Sequence, residues 1–208
     1  GTYLDEGVRL LTEGVHPIQI DNLGKAIGMP VGPLTVYDEV SLELSRKAWA
    51  TWKDMGVLDN WGDGAITRDV IDTMVGEHGR GGRHHGGGFY EYGEDGSKVI
   101  WPGLMDLYFN ADASVAEDDI KDRLLFRQVI EALKCLENNV LRTVADGNIG
   151  SIMGIGAPAW TGGLIQFVNT YGLELFSARC AELASQYGNR FDAPAIVGEK
   201  IAAGENFA

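Results

Sequence analysis

Apolar residues recur at helical spacing along most of this chain. Within residues 3–13, Leu4, Val8 and Leu11 fall on one face, which predicts an amphipathic helix. A second helix starts at His16 and Pro17, since proline suits a first helical turn. Ile20, Leu23 and Ile27 supply its stripe until Gly28 and Pro30 end it. A helical stretch then carries Leu34, Val36, Val40, Leu42, Leu44, Trp49 and Trp52 as far as Met55, with Gly56 placed to stop it. Its length suggests two helices in sequence. Residues 67–75 form a shorter helix on Val70, Ile71 and Met74.

The pattern then changes. Residues 79–88 hold too many glycines for either regular element and predict a loop. Residues 89–92 and 98–101 flank Gly93 to Gly96, which reads as a small β-hairpin. From Trp101 to Asp119 the chain is polar and irregular, and it closes on a capping-box pair, Ser114 with Glu117. We take this connection as the boundary between two halves, residues 1–105 and 115–208. The second half opens with a strong helix from Ile120 to about Glu137 and continues through Val140 to Met153. After a glycine break comes one long helix over residues 164–187 and a tail punctuated by proline and glycine.

Laid over each other, the halves repeat. Gly28–Pro30 matches Gly156–Pro158, Gly32 matches Gly162, and Ser41–Leu44 matches Gly172–Leu175, with helix, Gly/Pro break and long helix in the same order. The fold class expected is all-α, built of two repeated helical subdomains with one small hairpin.

Composition narrows the partners. The chain has 208 residues, enough for one large domain or two small ones, and 45% hydrophobic residues supply a normal core. Seventeen basic against thirty acidic residues leave a net charge of −13, which repels nucleic acid and anionic membrane surfaces. Cys135 and Cys180 lie far apart in apolar helical patterns and suggest neither a disulfide framework nor a thiolate metal site; a reducing cytoplasm is the expected compartment. No apolar run is long enough to span a membrane. The chain opens on Gly1 already in helical pattern, which we read as a fragment.

Three motifs carry a family resemblance. Ile20 and Asp21 with Gly28–Val40 resemble the start of the 3-hydroxyacyl-CoA dehydrogenase C-terminal domain. Gly82–Tyr92 is similar to that family's glycine-rich signature ending in Gly-Phe-Tyr. Gly154–Pro158 with Thr161–Gly163 resembles the second copy of the domain found in multifunctional β-oxidation enzymes. Together they cover nearly the whole chain in the family's order. The resemblance implies a helical fold like the C-terminal part of 6-phosphogluconate dehydrogenase, and an upstream Rossmann domain that binds NAD. It also implies a histidine, oriented by a glutamate, that takes the hydroxyl proton of a 3-hydroxyacyl-CoA while hydride passes to the nicotinamide. Those residues would lie upstream, so we assign no catalytic, cofactor-binding or metal residue here. A homo-oligomer and a thiolase partner are also implied.

The candidate substrate-binding residues are Gly32, Pro33 and Met153. The break at Gly28–Pro33 could aim backbone N–H groups and a helix start at an acyl-CoA cleft, or could simply redirect the chain between packed helices. Met153 stands where relatives carry a substrate-contacting tyrosine, so only apolar contact is open to it. His85 replaces the family's serine or threonine, and Gly87 replaces a base, which weakens any anion contact by that loop. No strand followed by Gly-x-Gly-x-x-Gly occurs. His84 and His85 read as solvated rather than metal-binding. Arg80 and Arg83 could touch a CoA phosphate but more simply position the loop. Asp38 and Glu39 read as capping or salt-bridge residues, and Trp49, Trp52, Trp61, Trp101 and Trp160 as core and interface anchors. The competing class is a helical scaffold that holds hydratase and thiolase parts together without touching substrate.

Overall fold

The computed structural model describes residues 1–58 and 64–208; Trp61, one of the expected anchors, lies outside the described residues. Among the described residues the regular elements are helices and one hairpin. The chain divides into two compact units, one comprising Tyr3–Leu23 and Val31–Val115 with Gly1, the other Gly24–Pro30 and Ala116–Ala208 with Thr2. The turn after the second helix, read in sequence as part of the first half, therefore clusters with the second unit.

In the first unit α1 (Thr2–Thr12) buries Tyr3, Val8, Leu10 and Leu11. Helix α2 (Pro17–Ala26) follows, and α3 (Pro33–Val40) begins with Pro33 against Gly7 of α1. A Cβ on Gly7 would lie 2.6 Å from Pro33 Cβ, so only glycine permits that approach. The expected division of the next stretch is present. Helix α3 stops and α4 (Leu42–Asp54) starts at Ser41, which holds φ 78° and ψ 122°. Ser41 tolerates this because its Oγ donates to Gly81 O at 2.9 Å and accepts Leu44 N–H at 3.3 Å. Helix α5 (Ala65–Asp72) widens into a π-turn over Thr73–Glu77. The hairpin pairs β1 (Tyr90–Tyr92) with β2 (Lys98–Ile100) in antiparallel register, Tyr90 opposite Ile100.

The connection from Trp101 to Asp119 is not wholly irregular: Pro102–Tyr108 forms α6, with Leu104 buried. The Ser114–Glu117 capping box does not form. Helix α7 (Glu117–Glu137) has Ala116 at its N-cap without a side-chain hydrogen bond, and the acidic run Glu117, Asp118 and Asp119 faces the helix dipole instead.

In the second unit α7 stops at Glu137, and a turn separates it from α8 (Val144–Ile155), where a continuous run was expected. Thr143 caps α8 by accepting Asp146 N–H. The single long helix expected over residues 164–187 is two, α9 (Leu164–Tyr171) and α10 (Leu173–Tyr187). They are separated at Gly172, whose φ of 94° and ψ of 124° break the helical path. Helical periodicity runs through a one-residue joint, so a pattern of apolar positions does not register it. Helix α11 (Ala195–Ala203) ends on Gly204 in the left-handed region. The core of this unit gathers Phe126, Phe167, Phe176, Cys180, Leu183 and Phe191.

Candidate functional site

The break before α3 is organised by one carboxylate. Asp21, on α2, is 4% exposed. Its Oδ1 accepts Leu34 N–H at 2.9 Å; its Oδ2 accepts Thr35 N–H at 3.2 Å, the Thr35 hydroxyl at 2.5 Å and the Tyr90 hydroxyl at 2.8 Å. The first free N–H groups of α3 are thus consumed inside the protein. Gly32 and Pro33 are buried, and a Cβ on Gly32 would overlap the Asp21 carboxyl group. Of the two readings of this break, N–H groups aimed at a cleft or a turn between packed helices, the hydrogen bonds favour the second, because Asp21 takes the N–H groups of Leu34 and Thr35. Burial, then the Asp21 charge, pushes the Tyr90 phenol far above its ordinary value, so it stays a donor.

The second unit repeats the device with an amide. Asn148, on α8, accepts Ile165 N–H at 3.0 Å and Gln166 N–H at 2.9 Å. A Cβ on Gly163 would overlap Asn148 as one on Gly32 would overlap Asp21, so Gly163, not Gly162, is the counterpart of Gly32. Ser151 Oγ accepts Leu164 N–H at 3.2 Å. At the break before α3 the corresponding donor is absent, because Pro33 has no N–H, and Gly24 stands in place of the serine. Met153 follows on α8 and is 82% exposed, beside Ile149 at 64%.

A surface cleft of about 440 Å3 lies in the glycine loop, lined by Arg80, Arg83, His84, Gly86, Gly87, Glu91 and Tyr92. Its cations are already engaged. Arg80 donates to Gly88 O at 2.6 Å and Tyr90 O at 2.9 Å, stands 3.7 Å from Glu91 and lies over the Trp101 ring at 4.6 Å. Arg83 pairs with Glu39 at 2.6 Å and covers the Tyr92 ring. The cleft is therefore close to neutral and offers little to a CoA phosphate. Arg80 and Arg83 position the loop. His84 and His85 are exposed, and among the described residues no group of three metal-ligating side chains converges.

Asp38 completes the unit. It is 1% exposed, and its carboxylate accepts Phe89 N–H at 2.8 Å and both Tyr90 N–H and the Tyr92 hydroxyl at 2.9 Å. Burial pushes it up to about 6, against the lowering effect of those hydrogen bonds and of Arg80. Of the pair flagged in sequence, Asp38 caps the hairpin and Glu39 makes the surface ion pair. A dinucleotide does not fit this loop: a π-turn precedes it and a hairpin follows, where a phosphate-binding loop needs a buried strand and a helix N-terminus.

A family model, the 3-hydroxyacyl-CoA dehydrogenase C-terminal domain, matches residues 1–92, ending at the strand that Asp38 holds. This part of the chain is such a domain. A solved structure, that of the dehydrogenase part of multifunctional enzyme 1 from C. elegans, is similar over 95% of this chain with a TM-score of 0.65 and 17% identity. The shared fold thus extends through the second unit. The chain spans only 45% of that structure.

Sequence reading named Gly32, Pro33 and Met153. The structure places the first two in the buried cap of α3 and the third on the open face of α8, in different units. It brings forward Asp21, Asn148 and Tyr90, which the sequence did not single out as a set. For Asp21 and Asn148 the signal was a polar residue on the helix before each Gly break, at matching places in the two halves.

Proposed function

We propose that this chain is the helical C-terminal part of an NAD-dependent 3-hydroxyacyl-CoA dehydrogenase within a multifunctional β-oxidation enzyme. The NAD-binding domain and the residues that move the hydroxyl proton lie outside it. The observation that carries the reading is the family match over residues 1–92, joined to a likeness that covers the chain but only 45% of the relative. In the first unit the cleft's two arginines are paired with carbonyls, Glu91 and Glu39, which favours a role in closing over substrate and packing against the nucleotide-binding domain.

In this reading Gly32 and Pro33 act through the backbone they shape at the start of α3, while Met153 offers apolar contact to the acyl group. NAD supplies hydride acceptance on the other domain. The partners proposed are an acyl-CoA, that domain, a thiolase subunit and a further copy of the protein, in the cytoplasm. The test is acetoacetyl-CoA-dependent NADH oxidation by the 208-residue chain and by the longer protein that contains it. Activity in the longer protein alone supports the proposal. Activity in the isolated chain overturns the placement of the chemistry, and none in either overturns the function.

A further inference from the structure

Helices α2 and α8 hold the same post. Asp21 on α2 takes the N–H groups that open α3, and Asn148 on α8 takes those that open α9, which sets the register between the two helices. In that register their sides are exchanged. The buried Ile20, Leu23 and Ile27 along the first fall on Gly147, Gly150 and Gly154 of the second, and the exposed Asn22, Lys25 and Ala26 fall on Ile149, Ile152 and Met153. Helix α8 buries only Gly147 and Ser151. Ile149, Ile152 and Met153 share one face at offsets of three and four, with Ile149 and Met153 exposed.

An apolar stripe turned toward the core holds a helix in its own unit, whereas one turned outward marks a surface that another body covers. This surface carries no charge: no Asp, Glu, Lys or Arg occurs between Asp146 and Glu174, in a chain whose net charge is −13. At its edge Arg142 and Asp146 stand 4.0 Å apart and offset each other. Two copies of so acidic a chain repel each other least where neither presents a charged side chain. The face also supplies both halves of a contact. Ile149 and Met153 form a ridge, and beside it Gly150 and Gly154, at the same spacing of four residues, form a trough with nothing within 4 Å of an added Cβ.

We propose that two copies of the chain pack α8 on α8 about a two-fold axis, the Ile149–Met153 ridge of each lying in the Gly150–Gly154 trough of the other. A two-fold contact has to be complementary to itself, and interlocked ridges of this spacing cross at about 50°. With the two helices running in opposite senses, one pairing brings Met153 onto the partner's Gly150 and Ile149 onto the partner's Gly154. A helix of 12 residues is about 18 Å long. That is too short to bury the about 800 Å2 per partner of a standard interface, so the pair is reversible. The pairing rests on the reading above only where that reading includes a further copy. Met153 cannot meet a second copy and an acyl group at once, so the two compete for α8.

The test is sedimentation velocity over a concentration series, on the 208-residue chain and on the longer protein that contains it. Two variants accompany each: Ile149→Asn with Met153→Ala, which gives α8 the outer residues of α2, and Gly150→Leu, which fills the trough. A reversible dimer in both native proteins, weakened about ten-fold or more by each variant with an unchanged circular dichroism spectrum, supports the proposal. Native proteins that stay monomeric, a dimer in the 208-residue chain alone, or a dimer that the variants leave unchanged overturns it. Dodecanoyl-CoA added to the native chain tests the acyl reading separately. It loosens the pair if Met153 also serves the acyl group; no effect would sink that contact and leave the pairing standing.

Discussion

Asp38 holds Phe89 across 51 residues of chain, its Oδ1 accepting the Phe89 backbone N–H at 2.8 Å. Asn169 stands at the matching place on α9 and treats Phe207 in the same way, but with both polarities. Its Oδ1 accepts Phe207 N–H at 2.9 Å and its Nδ2 donates to Phe207 O at 2.8 Å. Both phenylalanines are buried. The carboxylate sits where every partner is a donor, and the amide where one partner is an acceptor.

That difference predicts opposite intolerances. Asp38→Asn turns an NH2 group toward a backbone N–H or the Tyr92 hydroxyl, and Asn169→Asp turns a carboxylate oxygen toward the Phe207 carbonyl. Each is expected to cost about 1–3 kcal/mol, the penalty of an unsatisfied buried polar group. Urea midpoints measure it; an unchanged midpoint in either variant would show that the clamp does not need its matched polarity.

The Asp38 carboxyl also sets a pH dependence. Burial raises it in the fold to about 6, whereas in the unfolded chain it ionises at about 3.9. Between those values the folded state holds a proton that the unfolded state has lost. Its contribution to stability is therefore full below about pH 4 and declines as pH rises through about 6. Asp38→Asn lacks this titration. The stability difference, native protein minus variant, should shrink between about pH 4.5 and about pH 6.5 and stay level above that; a difference independent of pH would refute the assignment.

Glycine positions divide by what a methyl group would meet. At Gly88 it would overlap Asp38, and at Gly163 it would overlap Asn148 in a backbone with φ of 115°. Alanine at either is expected to cost about 3 kcal/mol or more. At Gly150 and Gly154, inside α8, nothing lies within 4 Å of an added Cβ. Alanine there should raise stability by about 0.5–1 kcal/mol. Thermal unfolding of the four variants checks the division, and a destabilising Gly154→Ala would contradict it.

Ser41 separates backbone strain from capping. Ser41→Ala keeps the positive φ and loses both hydroxyl hydrogen bonds, whereas Ser41→Gly loses the same bonds and relieves the strain. The alanine variant should be the less stable of the two by about 1 kcal/mol. Equal stabilities would mean that α3 and α4 relax around the joint.

The sequence by itself determined the helical class, the hairpin and the family of the first half. These depend on local periodicity, on turn residues and on motif order, all of which a one-dimensional pattern carries. It did not reveal the joint at Gly172, because apolar spacing continues across a single kinked residue, nor α6, whose short apolar face is set by the unit it packs in. Gly32 and Pro33 were visible as a break, but what the break does depended on Asp21 reaching over from α2 to take the N–H groups of Leu34 and Thr35. The basic loop read in sequence as a positioning element that could touch a phosphate, and the pairing of Arg80 and Arg83 with carbonyls, Glu91 and Glu39 was not visible there. Hydrogen-bond satisfaction and charge pairing join residues far apart in the chain, so only the tertiary structure decided them.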